Sequence, residues 1–419
     1  MSAVVNPKVI DLPVPAIRRA AEKYPTPFFL YSESKIRANC RRFNNAFCSF
    51  FPSFEPLYAV KANSNPRLLK IIFSEGFGAD ASSEAEAWIV RQLGGKGMYT
   101  GNYTSEAEFR FVVKTGEFML NLDDITMLET IRKIGAPKFL SFRVNPGISR
   151  GGMKSLYLAG PDAKYGVPIE RIVEAYRRAK ALGVKRFGIH AMTGSNVLDE
   201  SYFESVAMIL LETAGKIKQE LGIRIERMNI GGGFGVPYRP EEKSLDLLKV
   251  AKGVRRAFDR QCAKCGLSEP VLMAEPGRII MADTAWLIGR INVIKESYKK
   301  FAGIDAGMND LPRPAIYDAY HHVTVIGKNP AGVKAIKEKI NIVGRLCENN
   351  DQFATDRLLP GVRVGDLIAI HNAGAHAYAM GHNYNTRPRS AEYLVTGKGA
   401  LVKIRRAETM QDIFRTIIV

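Results

Sequence analysis

Lys61 closes the apolar run Leu57-Tyr58-Ala59-Val60 in "LYAVKANSNP", and polar, turn-forming residues follow at once. A strand-end lysine ordinarily lays its stem on the surface and keeps its charge in water. A partly desolvated lysine loses its proton more readily and can form a Schiff base. Other polar residues stand at comparable places. Asp80 lies in "FGADA", Arg143 ends "KFLSFRV", and His190 lies in "RFGIHAM" with Ser195 five residues on. "GGGFG", containing Gly232 and Gly233, follows "IERMNI", and "EPGR", containing Glu275, Gly277 and Arg278, overlaps the end of "VLMAE". Glycine lets backbone amides approach a phosphate closely, although the same residues also make tight strand-to-helix turns.

Groups at run ends converge only if the runs are parallel strands ending on one face. Apolar runs and amphipathic stretches alternate from residue 57: eight strand-like runs up to "VLMAE", with helical patterns in the seven gaps. Gly94, Gly116, Gly135 and Gly183 stand where helices should stop. The pattern predicts an α/β fold, a closed (β/α)8 TIM-type barrel over about residues 35–285, with an open doubly wound sheet as the alternative. After residue 286 the runs read as strands with short connections, which predicts a C-terminal β-rich domain over 286–419 with residues 1–34 packing on it.

A barrel builds its site at the C-terminal ends of its strands and frequently holds phosphate after strands seven and eight. "GGGFG" and "EPGR" occupy those two loops. An amine, a phosphate cradle and a strand-end carboxylate together describe a site for pyridoxal 5'-phosphate: the aldehyde takes the lysine, and the carboxylate keeps the pyridine nitrogen protonated.

The totals set outer bounds. A chain of 419 residues exceeds one ordinary domain, and its net charge is +18. The basic residues are dispersed, without a long Lys/Arg run or a basic-aromatic motif, so attraction of small anions is favoured over nucleic-acid binding. No apolar stretch approaches the roughly 20 residues that span a bilayer, and the N-terminus lacks a signal pattern; a soluble, cytoplasmic protein is expected. Of five cysteines, Cys262 and Cys265 form a C-x-x-C with no second pair, so free thiols are expected. His321, His322, His371 and His382 have no metal-ligand spacing, and no metal is expected.

"YAVKAN", "HAMTGS", "GGGFG", "EPGR", "DAGMNDLPRPAIYDAYH", "CENND" and "NYNTRPR", in collinear order from about residue 25 to 400, resemble the fold-type III pyridoxal-phosphate decarboxylases of the alanine racemase-like barrel group, most closely the diaminopimelate decarboxylase branch. The resemblance implies that Lys61 carries the cofactor as a Schiff base and Glu275 pairs with its pyridine nitrogen. Ser195, Gly232, Gly233, Gly277 and Arg278 would surround the phosphate. Asp80, Arg143, His190, Met192, His376 and Tyr384 would line the cofactor pocket. It further implies a homodimer with shared sites, in which Cys347 of "CENND", supplied across the interface, donates the proton after carbon dioxide leaves. Arg313, Tyr317 and Glu348, with Arg278, would grip the substrate. Diaminopimelate has a second amino-acid end, and a carboxylate suits a bidentate arginine as an ammonium suits a glutamate.

Three motifs depart from the pattern. Met192 stands where the family's "HxHIGS" has a histidine that stacks on the ring. Asn349 and Asn350 replace Ser-Gly of "CESGD". His376 replaces the tyrosine of "GAY". Methionine can touch an aromatic face but cannot usefully exchange a proton. These changes leave the reaction type intact and open the substrate to alternatives: D-ornithine, D-lysine or an intermediate of siderophore or antibiotic synthesis. A non-catalytic homologue with a binding role is disfavoured because Lys61 and Cys347 are both present.

Overall fold

Eight parallel strands run in chain order: Glu55–Ala59, Gly78–Ala81, Gly97–Tyr99, Phe118–Leu122, Phe139–Asn145, Arg186–His190, Ile225–Asn229 and Val271–Ala274. The first pairs with the second and the eighth, and the fourth pairs with the fifth, Leu120 opposite Leu140, so the ring has no open edge. This computed structural model describes residues 11–147, 158–327 and 337–418. The closed barrel excludes the open doubly wound alternative. It belongs to a unit formed by Arg37–Val236 and Ser244–Ile279.

Local sequence explains why each strand hands over to a helix. Asn65, Ser83, Ser105 and Asp246 cap the helices Pro66–Ser74, Glu84–Gln92, Glu106–Thr115 and Leu247–Cys265 by accepting their first free amides. Each such cap contributes about 1 kcal/mol. The four glycines expected to stop helices all take positive φ, from 70° at Gly94 and Gly116 to 99° at Gly135.

Side chains two residues apart on a strand share a face. Leu57, Met98 and Met273 form a buried cluster inside the barrel with Met119 packed against it. Two residues further along the same strands come Ala59, Thr100, Asn121 and Glu275. The barrel therefore has an apolar plug and, on the side of the strand C-termini, a polar layer.

The other unit gathers three pieces of chain, Met1–Ile36, Pro237–Lys243 and Ile280–Val419. Its nine-stranded mixed sheet centres on Ala285–Glu296 and on Phe28–Ser32, which runs antiparallel to Ala285–Glu296 and parallel to Ala391–Val395. Phe28, Leu30, Trp286, Ile288 and Tyr393 form its core with Ile17 and Ala20 of the helix Val14–Lys23. Among the described residues no helix is long and apolar enough to cross a membrane.

Candidate active site

Lys61 lies just beyond its strand. Ala59 donates its amide to Pro276 O (3.3 Å), which ties the strand end to the "EPGR" loop, and Val60–Ala62 then makes one 3-10 turn. Val60 and Ala62 are buried, while the Lys61 side chain is 46% exposed. Gly277 makes this junction possible: a Cβ there would stand 3.0 Å from the Ala62 Cβ and 3.1 Å from the Ala59 Cβ.

Beside that amine is a paired set of carboxyls. Asp80 Oδ2 is 3.8 Å from Lys61 Nζ, and the Asp80 side chain is 1% exposed. Among the described residues, no donor reaches hydrogen-bond geometry with either Asp80 oxygen. Burial first and the Glu275 charge second push its carboxyl up to about 8, with Lys61 pulling the other way. Burial also opposes ionisation of Glu275, but His190, Lys61 and Arg143 outweigh it and hold that carboxyl below the usual range. The two acids are thus driven apart: Glu275 charged, Asp80 protonated at neutral pH.

Neighbours from three strands hold Glu275. Asn229 Nδ2 donates to Glu275 Oε1 (2.8 Å), and His190 Nε2 lies 3.1 Å from the same oxygen. The Asn121 amide stands 2.9 Å from His190 Nδ1. With that amide as donor, Nδ1 is the acceptor and the imidazole proton is on Nε2, toward Glu275. No side chain among the described residues hydrogen-bonds Glu275 Oε2, which remains available to a ligand.

The glycine loop lies edge to edge with the "HAMTGS" loop. Val197 N donates to Gly233 O (2.8 Å), Gly235 N donates to Val197 O (2.9 Å), and Gly232 N points to Met192 Sδ at 3.1 Å. A Cβ on Gly233, whose φ is 87°, would lie 2.8 Å from Gly194 O. Part of the glycine signal is therefore close packing. The backbone amides of Ser195, Gly233 and Gly277 meet no protein acceptor among the described residues. Arg278 Nη2 donates to Ser195 Oγ (3.3 Å) at the same edge. Arg143 donates from Nη2 to Leu158 O and Met192 O, both at 3.0 Å, and packs over the Tyr165 ring.

The remaining expected residues belong to the other unit. Arg313, 7% exposed, stacks over Tyr238 and hydrogen-bonds His321 (Nη1 to Nε2, 2.7 Å). His321 Nδ1 faces His371 O at 2.8 Å, and a carbonyl only accepts, so Nδ1 carries the proton and Nε2 accepts from Arg313. Tyr317, four residues along the same short helix, is half-buried. Cys347 and Glu348 are exposed on a loop clamped from both sides. Asp351 accepts from Met308 N (2.6 Å) and Leu346 N (2.7 Å), and Asn385 Oδ1 accepts from Cys347 N (2.7 Å). His376 takes a left-handed φ of 56°, and Tyr384, next to Asn385, is 48% exposed. Asn121, Asn229, Asp351 and Asn385 were not singled out from the sequence, and His321 was read there only as a histidine without metal-ligand spacing. His321, Asp351 and Asn385 fall inside quoted motifs, whereas Asn121 and Asn229 carry no local signal.

A lysine, a split pair of acids and unfilled amide donors at the C-terminal mouth of a (β/α)8 barrel define an enzyme that takes a phosphorylated aldehyde cofactor. Comparison with known proteins gives the family. The sequence profile described as "Pyridoxal-dependent decarboxylase, pyridoxal binding domain" matches residues 33–282. The diaminopimelate decarboxylase of Methanothermobacter thermautotrophicus is 39% identical over 400 residues, 94% of this chain and 92% of that protein. Protein TabA of Pseudomonas amygdali pv. tabaci is 37% identical, over 95% and 92%. The crystal structure of Helicobacter pylori diaminopimelate decarboxylase complexed with L-lysine superposes with a TM-score of 0.87 at 29% identity, covering 95% and 98%. The chain belongs to the pyridoxal-dependent decarboxylases. It is a carboxy-lyase, and pyridoxal phosphate is its cofactor.

Proposed function

We propose that this enzyme decarboxylates meso-diaminopimelate to L-lysine in the cytoplasm, as a homodimer that shares its active sites. The observation that carries the substrate is Arg313: a buried guanidinium, held by a neutral His321 and a tyrosine face, suits a carboxylate at the far end of the substrate. Glu348 takes the ammonium beside that carboxylate, and Tyr317 and Arg278 complete the grip. Relatives named diaminopimelate decarboxylase support the same substrate. The five cysteines are all free, which suits a reducing compartment.

Bound pyridoxal phosphate supplies the electron sink that makes loss of carbon dioxide from an amino-acid α-carbon feasible. The fit rests on the buried Asp80 oxygens and the unmet amides. Lys61 Nζ holds the cofactor, and the charged Glu275, braced by Asn229 and His190, keeps a proton on the pyridine nitrogen. Ser195, Gly232, Gly233, Gly277 and Arg278 surround the phosphate. Arg143, Met192, His376 and Tyr384 border the ring. Cys347, exposed on its own chain, reaches the partner's barrel and returns the proton to the α-carbon.

A second reading, a decarboxylase for another amino acid such as D-lysine or D-ornithine, is favoured by the departures at Met192, Asn349, Asn350 and His376. Steady-state decarboxylation of meso-diaminopimelate, L- and D-lysine, and L- and D-ornithine separates the two. The first reading expects meso-diaminopimelate to have the highest kcat/KM. A higher value for any of the others overturns it. Borohydride should fix the cofactor to the Lys61 peptide, and a label elsewhere would remove the central role assignment.

A further inference from the structure

The second unit contains a polar cavity of about 480 Å³ whose wall includes neither Lys61 nor Cys347. Its wall includes Arg239, Tyr320 and Arg357, and also Asn349 and Asn350, the two residues at which "CENND" departs from the family pattern. Both guanidiniums lie on the Tyr320 ring, Arg239 at 4.3 Å and Arg357 at 4.0 Å from its centre. The cations are therefore close enough to repel, and burial together with Arg239 lowers the basicity of Arg357. Asp318 is the one carboxylate on the wall, and Glu241 stands near Arg357. Even so, neither arginine forms an ion pair among the described residues. Arg357 is also held in place, donating to His321 O at 3.3 Å.

Two like charges brought together on one aromatic platform, in a cavity and without ion-pair partners, are stabilised by an added anion. We propose that this cavity is a binding site for a small multivalent oxyanion, a phosphate or a dicarboxylate. The anion bridges Arg239 and Arg357, and the Asn349 and Asn350 amides supply further donors. Isolated surface arginines would need neither the shared ring nor the cavity.

The test uses the cofactor-loaded protein in low-salt, phosphate-free buffer, titrated calorimetrically with inorganic phosphate and separately with succinate. The visible spectrum of the cofactor is followed throughout, so that displacement from the barrel is seen. Saturable binding of either probe with an unchanged spectrum is expected, and the tighter probe identifies the class. Arg239→Gln, which removes an exposed side chain, should weaken that binding by about tenfold or more while cofactor spectrum and melting temperature stay as in wild type. Arg357→Gln should abolish it. Absence of saturable binding for both probes, or an affinity unchanged in Arg239→Gln, overturns the proposal.

Discussion

Arg313 and His321 carry the most specific consequence at the scale of single residues. If Arg313 reads the distal carboxylate, Arg313→Ala should lower kcat/KM for meso-diaminopimelate by about 100-fold or more and barely change the slow turnover of lysine. Equal loss on both substrates would mean that Arg313 only holds the fold. Asp80 gives a pH signature. Its folded-state carboxyl is raised to about 8, above an unfolded value near 3.8, so the folded chain binds more protons between those limits. Stability is therefore lost as pH rises through that window. In the cofactor-free protein, Asp80→Asn should raise the unfolding free energy more at pH 8 than at pH 5, by on the order of a few kcal/mol at most, read from denaturant unfolding. A difference that does not change with pH would contradict a raised Asp80. Lys61, Glu275 and Arg278 were legible because each sits in a contiguous motif whose chemistry is local. Asn121 was not, because it works on His190 across 69 residues of sequence. The His321 tautomer likewise depends on a carbonyl 50 residues away.

The loop that bears Cys347 shows how one element is fixed by groups outside the reaction. Asp351 joins it to the Met308 amide, and Gly344 makes the contact possible, since a Cβ there would meet the Asp351 carboxylate at 2.2 Å. Asn385 holds the Cys347 amide itself. Asp351→Ala leaves two amides unsatisfied and should destabilise the protein by about 2–3 kcal/mol, read from denaturant unfolding. Asn385→Ala should cost about 1 kcal/mol and speed alkylation of Cys347, because the loop then samples more conformations. An unchanged alkylation rate would show that Asn385 does not restrain the cysteine. Among elements, the barrel strands were readable because short apolar runs alternated with capped helices. The strand Phe28–Ser32 was not, since a five-residue apolar run followed directly by a helix has no period of its own, and its partners lie far along the chain.

At the scale of the whole molecule, the proposed shared-site dimer makes a quantitative claim. Lys61→Ala and Cys347→Ala chains are each expected to be inactive. In an equal mixture that exchanges subunits, half the dimers are hybrids, and each hybrid has one site with both groups intact. Activity should return to about one quarter of wild type. No recovery, with exchange demonstrated, would place Cys347 in the same chain's site or outside the reaction. Phe28–Ser32 has a consequence for the chain before it is complete. Phe28, Phe29, Leu30 and Tyr31 are wholly buried between Ala285–Glu296 and Ala391–Val395. Leu30, for one, pairs with Trp286 and Tyr393. During translation those partners leave the ribosome hundreds of residues later, after the whole barrel has emerged. A sticky apolar strand near the start of the nascent polypeptide must therefore wait unpaired, a natural target for a chaperone.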